Sequence, residues 1–374
     1  MHVKTIGVEE WLNIYETSAR YDLAQSTIAS LTTEEILNLA DDAGQSFMEA
    51  LAQSKQNYGH IEGSDEFKAA VAGLYKNISA SQVLQTNGAT GANLLALMNL
   101  LEPGDHVIAE YPTYQPLYEI PRMLGAEVSL WHMQQEENWQ PSLDELESLI
   151  RPNTKLICIN NASNPLGTVL ERDALKRIAA IAQRVGAFVL SDEVYLPLDN
   201  TVDFVSMADV YDKAIVTNSL SKTYSVPGIR IGWVIVPMNL IDNLKVWRDY
   251  TLISGGVFND AMAVHVLTYR NKILARNKEI IDKNKRIVQE WIDVQPRVSW
   301  IAPKGVSTAF ISLDIPCNDE EFCLKLLENY GVLLVPGSRF ELPCGARLGY
   351  CTNEETLREG LRRISEALRV FDAN

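Results

Sequence analysis

The sequence predicts an α/β protein in which helices sandwich a mainly parallel sheet and a smaller α+β domain follows toward the C-terminus. Short apolar runs alternate with amphipathic stretches, which is the pattern of a parallel sheet that is covered on both faces. In addition, 374 residues are more than one small domain needs and suffice for a large domain and a small one. Both observations favour two domains packed together.

Seven short apolar runs have the length and composition of buried sheet strands. They are VLQT (83–86), HVIAEY (106–111), AEVSLWHM (126–133), KLICIN (155–160), AFVLSD (187–192), AIVTN (214–218) and GWVIV (232–236). Between them, ERDALKRIAAIAQRVG (171–186) carries apolar residues at helical spacing and ends at Gly186, a natural helix stop. The sheet and its covering helices are therefore expected within the first two thirds of the chain.

The last third of the chain predicts a second, smaller domain. A charge-rich helical pattern from about Asp260 to Asp293 is longer than a usual globular helix and predicts the connector to that domain. Beyond it we expect the strand VSTAFISLD, a helix near 319–330, the strands GVLLVPG and ARLGYC, and a last helix near 353–371. The first 40 residues are expected to pack on this domain or on a partner subunit. The predicted division is 1–40, 41–275 and 276–374.

Composition excludes several classes of function. A formal charge of −15 argues against binding to a nucleic-acid backbone. Five cysteines without a CxxC pair, and only five histidines, predict reduced thiols and no metal site. The first residues lack the pattern of a signal peptide, and no run reaches the ~18 apolar residues of a membrane helix. These observations predict a cytoplasmic protein that binds neither nucleic acid nor membrane.

One lysine stands out in the segment TNSLSKTYSVPGIRIGW (217–233). A single lysine after a strand is usually an exposed loop residue, but Lys222 has hydroxyl neighbours and a nearby arginine. A buried amine loses its proton more readily and can then attack an aldehyde. The hydroxyls of Ser219 and Ser221 and the planar guanidinium of Arg230 are suited to phosphate oxygens. The segment therefore predicts a reactive amine beside a phosphate site.

Four further polar clusters follow predicted strands, where ligands bind in sheets of this kind. VLQTNGATGANLLALMNLL (83–101) reads as a strand, a turn and a helix whose first N–H groups can bind an anion. The other three are EYPTYQPLYE (110–119), INNASNPLGTVL (159–170) and LSDEVYLPL (190–198). Each alone is typical of an ordinary turn, helix cap or core residue, so their shared position at strand ends carries the prediction.

SLSKTYSVPGIRIGW resembles the lysine motif of the class I/II (fold-type I) pyridoxal-phosphate-dependent aminotransferases, and the other clusters match family motifs in the expected order. The resemblance covers nearly the whole chain. It implies that Lys222 forms a Schiff base, the internal aldimine, with the aldehyde of pyridoxal 5′-phosphate. It also implies that Ser219, Arg230, the backbone N–H of Ala89 and the hydroxyl of Thr90 bind the cofactor phosphate.

The same resemblance assigns the remaining cofactor contacts. Tyr114 would stack on the cofactor ring, and Asn164 and Tyr195 would share its phenolic oxygen. Asp192 would hold the pyridine nitrogen in its protonated form, so that the ring withdraws electrons from the substrate. The family's Asn-Pro-x-Gly turn usually has threonine at its third position, where this chain has Leu166.

Two residues are implied for substrate and subunit contacts. Arg347, in CGARLGY (344–350), would clamp the substrate carboxylate bidentately, with two of its guanidinium nitrogens. Tyr58, in KQNYGHIEGSDEFKAAV (55–71), would reach across the interface of a homodimer to the partner's cofactor phosphate. An ordinary surface strand arginine and a surface loop are the alternatives for these two positions.

The predicted activity is transfer of an amino group from an amino acid to a 2-keto acid through Lys222. In YDLAQSTIAS (21–30) the family usually has a glycine near the substrate, where this chain has Gln25-Ser26-Thr27. Parts of the chain (9–12, 247–254 and 331–340) also resemble capreomycidine synthase, which leaves the substrate open.

Three other functions are the alternatives to transamination. A pyridoxal-phosphate lyase or cyclase, such as a carbon–sulfur lyase or a capreomycidine synthase-like enzyme, would start from the same carbanion. A non-catalytic pyridoxal-phosphate-binding regulator normally carries a basic DNA-binding module, for which this acidic chain leaves no room. A dinucleotide-dependent dehydrogenase would need G-x-G-x-x-G after an early strand, and the sequence has none.

Overall fold

The computed structural model describes residues 3–41, 43–315 and 318–370. Its helices are α1 (Gly7–Tyr15), α2 (Thr33–Asn38), α3 (Ala43–Ala52), α4 (Asp65–Ala72), α5 (Gly88–Leu100), α6 (Pro116–Met123), α7 (Leu143–Leu149), α8 (Arg172–Val185), α9 (Met238–Asp249), α10 (Val257–Thr268), α11 (Arg270–Ile292), α12 (Asp319–Tyr330) and α13 (Glu354–Val370). Its strands are β1 (Tyr21–Asp22), β2 (Val83–Thr86), β3 (His106–Tyr111), β4 (Glu127–His132), β5 (Thr154–Asn160), β6 (Phe188–Asp192), β7 (Ala214–Ser219), β8 (Gly232–Ile235), β9 (Val298–Trp300), β10 (Thr308–Leu313), β11 (Val332–Leu333), β12 (Val335–Pro336) and β13 (Gly345–Gly349).

The large sheet has seven strands in the order β2-β8-β7-β6-β5-β3-β4. Strand β8 runs antiparallel to both of its neighbours, and the other pairs are parallel. All seven predicted apolar runs form these strands, with ends that shift by a residue or two. The α/β prediction with a mainly parallel sheet is confirmed.

Apolar residues pack on both faces of this sheet because successive side chains of a strand point to opposite sides. In β6, Val189 packs into one core and Leu190 into the other. Helices α8 and α10 cover the first face, and helices α5, α6 and α9 cover the second. Helix α8 ends where the sequence predicted, at Gly186, which adopts a left-handed conformation with φ of 73°.

The C-terminal elements build a second sheet of four antiparallel strands in the order β12-β13-β10-β9. The prediction of a single strand for GVLLVPG is wrong in one respect, because this segment forms two strands, β11 and β12. Strand β11 pairs with β1 near the N-terminus, whereas β12 pairs with β13. One apolar run therefore serves two sheets. Of the predicted last helix, 353–371, residue 371 lies outside the described residues.

The long helical pattern from Asp260 to Asp293 is two helices and not one. Helix α10 ends at Thr268 and α11 begins at Arg270, with Tyr269 between them outside helical geometry. The two helices also differ in environment. Helix α10 buries Met262, Ala263 and Val266 against the large sheet, and the charge-rich α11 buries its later apolar residues against the second core.

The N-terminal segment packs on the C-terminal elements. Val8 and Trp11 of α1 lie in the second core, and Trp11 Nε1 donates a hydrogen bond to Leu334 O at 2.9 Å. The chain then passes so close to β13 that a Cβ on Gly349 would lie 1.7 Å from Gln25 O. Only glycine at position 349 allows this approach. The domain boundaries at 40 and 275 stay predictions.

In residues 3–41, 43–315 and 318–370, no helix combines the length and apolarity needed to cross a bilayer. In the same part of the chain, no group of three or more histidine, cysteine or acidic side chains could hold a metal ion. Cys158, Cys344 and Cys351 have free thiols. Cys317, included in the prediction of reduced thiols, lies outside the described residues.

Candidate active site

The carboxyl ends of three neighbouring strands bring the predicted polar clusters together. Asn160 of β5 pairs with Asp192 of β6, and Asp192 pairs with Thr217 of β7, so the strands end at one edge. A cavity of about 650 Å³ opens there, which we call the active-site cavity. Every predicted site residue except Tyr58 lines it: Ala89, Thr90, Tyr114, Asn164, Asp192, Tyr195, Ser219, Lys222, Arg230 and Arg347.

Lys222 follows β7 and is half-buried, with its amine in the cavity. Its Nζ donates a hydrogen bond to Ser26 Oγ at 2.6 Å. Burial, assisted by the positive charge of Arg347, lowers the pKa of Lys222 to about 8. About one tenth of the amine is therefore deprotonated at pH 7, and the deprotonated amine is the form that attacks an aldehyde.

Asp192 is the last residue of β6 and is 2% exposed. Burial raises its pKa to about 6, while hydrogen bonds from Asn93 and the Val194 backbone and the charge of Lys222 oppose this rise. Asn93 Nδ2 donates to Asp192 Oδ2 at 2.7 Å, and Val194 N donates to Oδ1 at 3.2 Å. A carboxylate accepts about four hydrogen bonds, so Asp192 has room for a further donor from the cavity.

Asn93 is a site residue that the sequence analysis missed. It lies on α5 with no exposed surface and accepts a hydrogen bond from Thr217 Oγ1 at 2.7 Å. The side-chain oxygen of Asn93 is thus fixed by Thr217, while its side-chain nitrogen donates to Asp192. An asparagine between apolar residues of α5, which also contains Asn99, was the only sequence signal for this role.

Arg230, Ser221 and Ser219, at the position of the predicted phosphate site, contact one another. Arg230 Nη1 lies 3.5 Å from Ser221 Oγ, and the Ser221 backbone N–H donates to Ser219 Oγ at 3.2 Å. Arg230 reaches this place over Gly88, the first residue of α5, where a Cβ would lie 2.7 Å from Arg230 Nη2. Gly88 also has φ of +66°, which disfavours any side chain.

The N-terminus of α5 completes this group. Ala89 and Thr90 lie in the first turn of the 13-residue helix, where backbone N–H groups have no acceptor within the helix. Those groups and the helix dipole favour an anion at this point. Thr90 Oγ1 also lies 3.2 Å from the hydroxyl of Tyr114, so the predicted stacking residue is held beside these donors.

Tyr195 also lines the active-site cavity. Burial raises its pKa to about 12, and the Ser26 side chain is among its hydrogen-bond partners. Ser26 thus contacts both Lys222 and Tyr195. From the sequence, Ser26 was recognised only as a departure from the family pattern. Its contact with Lys222 could not be predicted, because the two residues are 196 positions apart in the chain.

Arg347, on β13, is 2% exposed and enters the cavity from the C-terminal part of the chain. Its Nη1 donates to Asn164 Oδ1 at 3.1 Å, and its Nη2 donates to Ala24 O at 2.8 Å. Its Nε is buried and has no hydrogen-bond partner among the residues that the structure describes. An unpaired buried donor is costly, so this guanidinium is suited to accept an anionic partner.

Tyr58 does not reach the active-site cavity of its own chain. Its side chain is 70% exposed and lies in the loop between α3 and α4. The predicted contact with a partner's phosphate agrees with an exposed tyrosine but is not tested by a single chain.

The sequence analysis also missed the contribution of α1. The cavity lining includes Glu9, Leu12 and Asn13 of this helix and Glu16, which directly follows it. The N-terminal segment therefore covers part of the cavity. Sequence reasoning placed residues 1–40 on the C-terminal domain or a partner but did not connect them with the site.

These residues fit pyridoxal phosphate. The donors around Gly88 suit a phosphate, and a Cβ at position 88 would displace the end of the Arg230 side chain. The unfilled acceptor capacity of Asp192 suits a protonated ring nitrogen, and the Lys222 amine suits an aldehyde. The cavity thus contains a matching group for each reactive part of the cofactor.

Comparison with known proteins agrees with this fit. The family model "Aminotransferase class I and II" matches residues 21–364. An aspartate aminotransferase of Thermotoga maritima is 33% identical over 298 residues, 78% of this chain and 77% of that protein. Capreomycidine synthase of Streptomyces vinaceus is 27% identical over 365 residues, 96% of this chain and 93% of that enzyme.

Among solved structures, a PLP-dependent aminotransferase from Streptococcus suis is 51% identical, with a TM-score of 0.97. The match covers 100% of this chain and 99% of that one. The aspartate aminotransferase of Thermotoga maritima superposes with a TM-score of 0.84 over 98% of this chain and 97% of that one, at 28% identity. The chain therefore belongs to the class I and II aminotransferases, enzymes of fold type I that use pyridoxal 5′-phosphate to move an amino group from an amino acid to a 2-keto acid.

Proposed function

We propose that Lys222, Asp192 and Tyr195 carry the transamination and that Arg347 binds the substrate carboxylate. The observation that supports this most directly is that one cavity holds a lysine amine, a buried carboxylate and a guanidinium with an unpaired Nε. These groups come from different strands, more than 100 residues apart at the extremes. No structural requirement of the sheet explains why they should meet.

The cofactor contacts follow from the same geometry. Ser219, Arg230, the Ala89 N–H and the Thr90 hydroxyl would hold the phosphate, and Tyr114 would fix the plane of the ring. Asn164 and Tyr195 would hold the phenolic oxygen, and Asp192 would hold the ring nitrogen. Bound pyridoxal phosphate supplies an aldehyde that takes up the amino group and a ring that withdraws electrons from Cα.

Lys222 is the group that moves the proton from Cα. Its pKa of about 8 places it where an amine can both accept and return a proton near neutral pH. The hydrogen bond to Ser26 keeps Nζ directed into the cavity. Asp192 is mainly ionised at neutral pH despite burial, because Asn93 and Val194 stabilise its charge. That charge keeps the ring nitrogen protonated.

Arg347 orients the substrate. Its Nη1 already donates to Asn164 and its Nη2 to Ala24 O, so the side chain is fixed before substrate arrives. The unpaired Nε can donate to a carboxylate oxygen, and Nη1 or Nη2 can supply a second bond. A rigid guanidinium places Cα above Lys222 without further loss of side-chain freedom.

Transamination makes a stoichiometric prediction. Mixing the cofactor-loaded enzyme with an amino acid, without any keto acid, should convert the cofactor absorbance once and release one keto acid per site. Adding a 2-keto acid should restore the absorbance. Continuous turnover without a keto acid, with release of ammonia or of a cyclic product, would instead establish a lyase or cyclase.

A lyase or cyclase is the second candidate because the match to capreomycidine synthase covers 96% of this chain. Both reactions begin with proton removal from Cα, so the same cavity residues serve either. The stoichiometry above separates them. A cofactor that binds but never changes its absorbance with any of the twenty amino acids would indicate a non-catalytic pyridoxal-phosphate-binding regulator.

We further propose that the active unit is a cytoplasmic homodimer in which Tyr58 contacts the partner's cofactor phosphate. The exposed position of Tyr58 outside its own cavity supports this. Mixed refolding of Tyr58→Ala and Lys222→Ala subunits tests it. Hybrid dimers would contain one site with an intact lysine and an intact partner tyrosine, and they should regain activity that neither parent has. A Tyr58→Ala enzyme with wild-type affinity for the cofactor would contradict the proposal.

A further inference from the structure

Once the proposed roles are assigned, the charged side chains that remain in the lining of the active-site cavity are all acidic. Three belong to the cofactor site (Asp192, Lys222, Arg230), and Arg347 belongs to the substrate carboxylate. Among the described residues, the only charged lining residues that remain are Glu9, on α1, and Glu16, which directly follows α1. Among the residues the structure describes, the cavity therefore offers no unassigned cation for a second substrate carboxylate.

Helix α1 presents these groups on one face. Glu9, Leu12, Asn13 and Glu16 follow the spacing of one helical side and line the cavity. Trp11 lies on another side and packs in the second core, and Val8 contributes both to that core and to the cavity lining. The packing of Trp11 thus fixes the rotation of α1. As a consequence, the side of α1 that carries Glu9 faces the active-site cavity.

Glu9 differs from its neighbours in having no partner. Glu10 forms an ion pair with Arg339 at 2.5 Å, and Glu16 accepts a hydrogen bond from Gln25. No hydrogen bond or ion pair of the Glu9 side chain is found within residues 3–41, 43–315 and 318–370. Glu9 is an exposed residue, so its carboxylate lies on the solvent side of the cavity lining and is free to bind a ligand there.

The charge of Glu9 acts on groups across the cavity. It raises the pKa of Lys222, of Tyr195 and of Arg347, opposing the effect of burial on the two cations. Glu9 is thus near the same centre as the proposed catalytic lysine and the proposed carboxylate clamp. A substrate held by Arg347 would extend its side chain within reach of this carboxylate.

We infer that the amino donor carries a cationic side chain, an ammonium or guanidinium group, which Glu9 binds while Arg347 binds the α-carboxylate. This deepens the proposed function and depends on Arg347 holding that carboxylate. A dicarboxylic amino acid would place its second negative charge beside Glu9 with no cation to compensate. Charge repulsion in a partly buried cavity disfavours such a donor.

Binding of unreactive analogues tests this without catalysis. The three probes are 5-guanidinopentanoate, hexanoate and adipate, which all carry one carboxylate for Arg347, differ in the charge of the far end and lack the α-amino group. Titrated by calorimetry into the cofactor-loaded enzyme, the guanidino acid should bind about tenfold more tightly than hexanoate, and adipate should bind most weakly. Glu9→Gln should abolish the preference for the guanidino acid and leave hexanoate unchanged.

Glu10→Gln is the matched control because it removes the same charge one residue away, outside the cavity. It should retain the preference for the guanidino acid. Equal affinity for adipate and the guanidino acid in the wild type would overturn the inference, and so would a Glu9→Gln enzyme with unchanged preference. Arg347→Lys separates the two proposals, because loss of affinity for all three probes confirms the clamp, whereas retained affinity means that the clamp assignment fails.

Discussion

The environment of single side chains sets the chemistry of this site. Asp192 could be predicted from sequence because it follows an apolar strand within a family motif. The role of Asn93, which donates a hydrogen bond to Asp192, could not be predicted, since the two residues are 99 positions apart and Asn93 is one of two asparagines in a mainly apolar helix. Glu9 and Ser26 were missed for the same reason. Contacts between distant segments depend on how α1 and the chain beyond β1 pack, which local patterns do not encode.

Replacing Asn93 with leucine should weaken cofactor binding at mildly acid pH. The hydrogen bond from Asn93 lowers the pKa of Asp192 against the effect of burial, so its loss should raise that pKa above about 6. A lost bond to a charged group corresponds to a shift of about one pH unit. Since only the ionised carboxylate holds a protonated ring nitrogen, affinity falls as pH falls through this pKa.

Titration of the cofactor-free protein with pyridoxal phosphate between pH 5.5 and 8 measures this effect. Affinity of the Asn93→Leu variant should begin to fall about one pH unit higher than in the wild type. Thr217→Val, which removes the hydroxyl that orients Asn93, should give a smaller shift in the same direction. Superimposable pH profiles would show that Asn93 does not support the charge of Asp192.

At the scale of elements, most of the fold was predictable because strand and helix periodicities are local. The errors arose where one pattern serves two environments. GVLLVPG is continuous in apolarity but pairs with β1 at one end and β13 at the other. The pattern from 260 to 293 is continuous in helical spacing but changes from a core helix to a charge-rich helix at Tyr269. In both, tertiary partners divided the element.

Helix α1 should be an independently detachable cover of the site. Trp11 is 1% exposed and anchors α1 through its packing and its bond to Leu334 O. Trp11→Ala should remove on the order of 3 kcal/mol from the docking of α1. Because the cofactor contacts lie elsewhere, we expect retained cofactor absorbance together with a raised KM for the amino donor.

Hydrogen exchange of the backbone amides in residues 7–15 reports the docking of α1 directly. These amides should exchange faster in Trp11→Ala and as in the wild type in Ile14→Ala, whose side chain is 57% exposed on the same helix. If α1 amides stay protected in Trp11→Ala, the apolar side of α1 does not hold the cover in place.

At the scale of the whole molecule, buried carboxyl groups give stability an unusual dependence on pH. Burial raises the pKa of Glu110 to about 8 and that of Glu193 to about 7. The folded chain therefore binds more protons than the unfolded chain between pH 4.5 and 8. The free energy of unfolding should fall as pH rises through this range. Net charge, read from composition, did not predict this because it counts every carboxylate as ionised.

Glu110→Gln tests this dependence. The Glu110 carboxyl accepts a hydrogen bond from Asn160 N at 2.7 Å, which a glutamine oxygen can also accept. Stability of the variant should match the wild type near pH 4.5 and exceed it by on the order of 3 kcal/mol above pH 8. Denaturant unfolding of the cofactor-free protein at both pH values measures the difference.

The control for this experiment is Glu127→Gln on the neighbouring strand β4. Glu127 is exposed and paired with Arg151, so its removal should change stability by no more than about 0.5 kcal/mol at either pH. An advantage of Glu110→Gln that is equal at pH 4.5 and pH 8.5 would mean that the effect is packing and not ionisation.

The assignment of Lys222 as the cofactor-binding amine is the claim on which the account of this site depends. Borohydride reduction of the cofactor-loaded enzyme fixes the cofactor to the lysine that holds it, and peptide mass spectrometry then locates the label. We predict the label on Lys222 alone and no label in Lys222→Ala. A label on another lysine, or none in a wild-type protein that has bound the cofactor, would contradict the account.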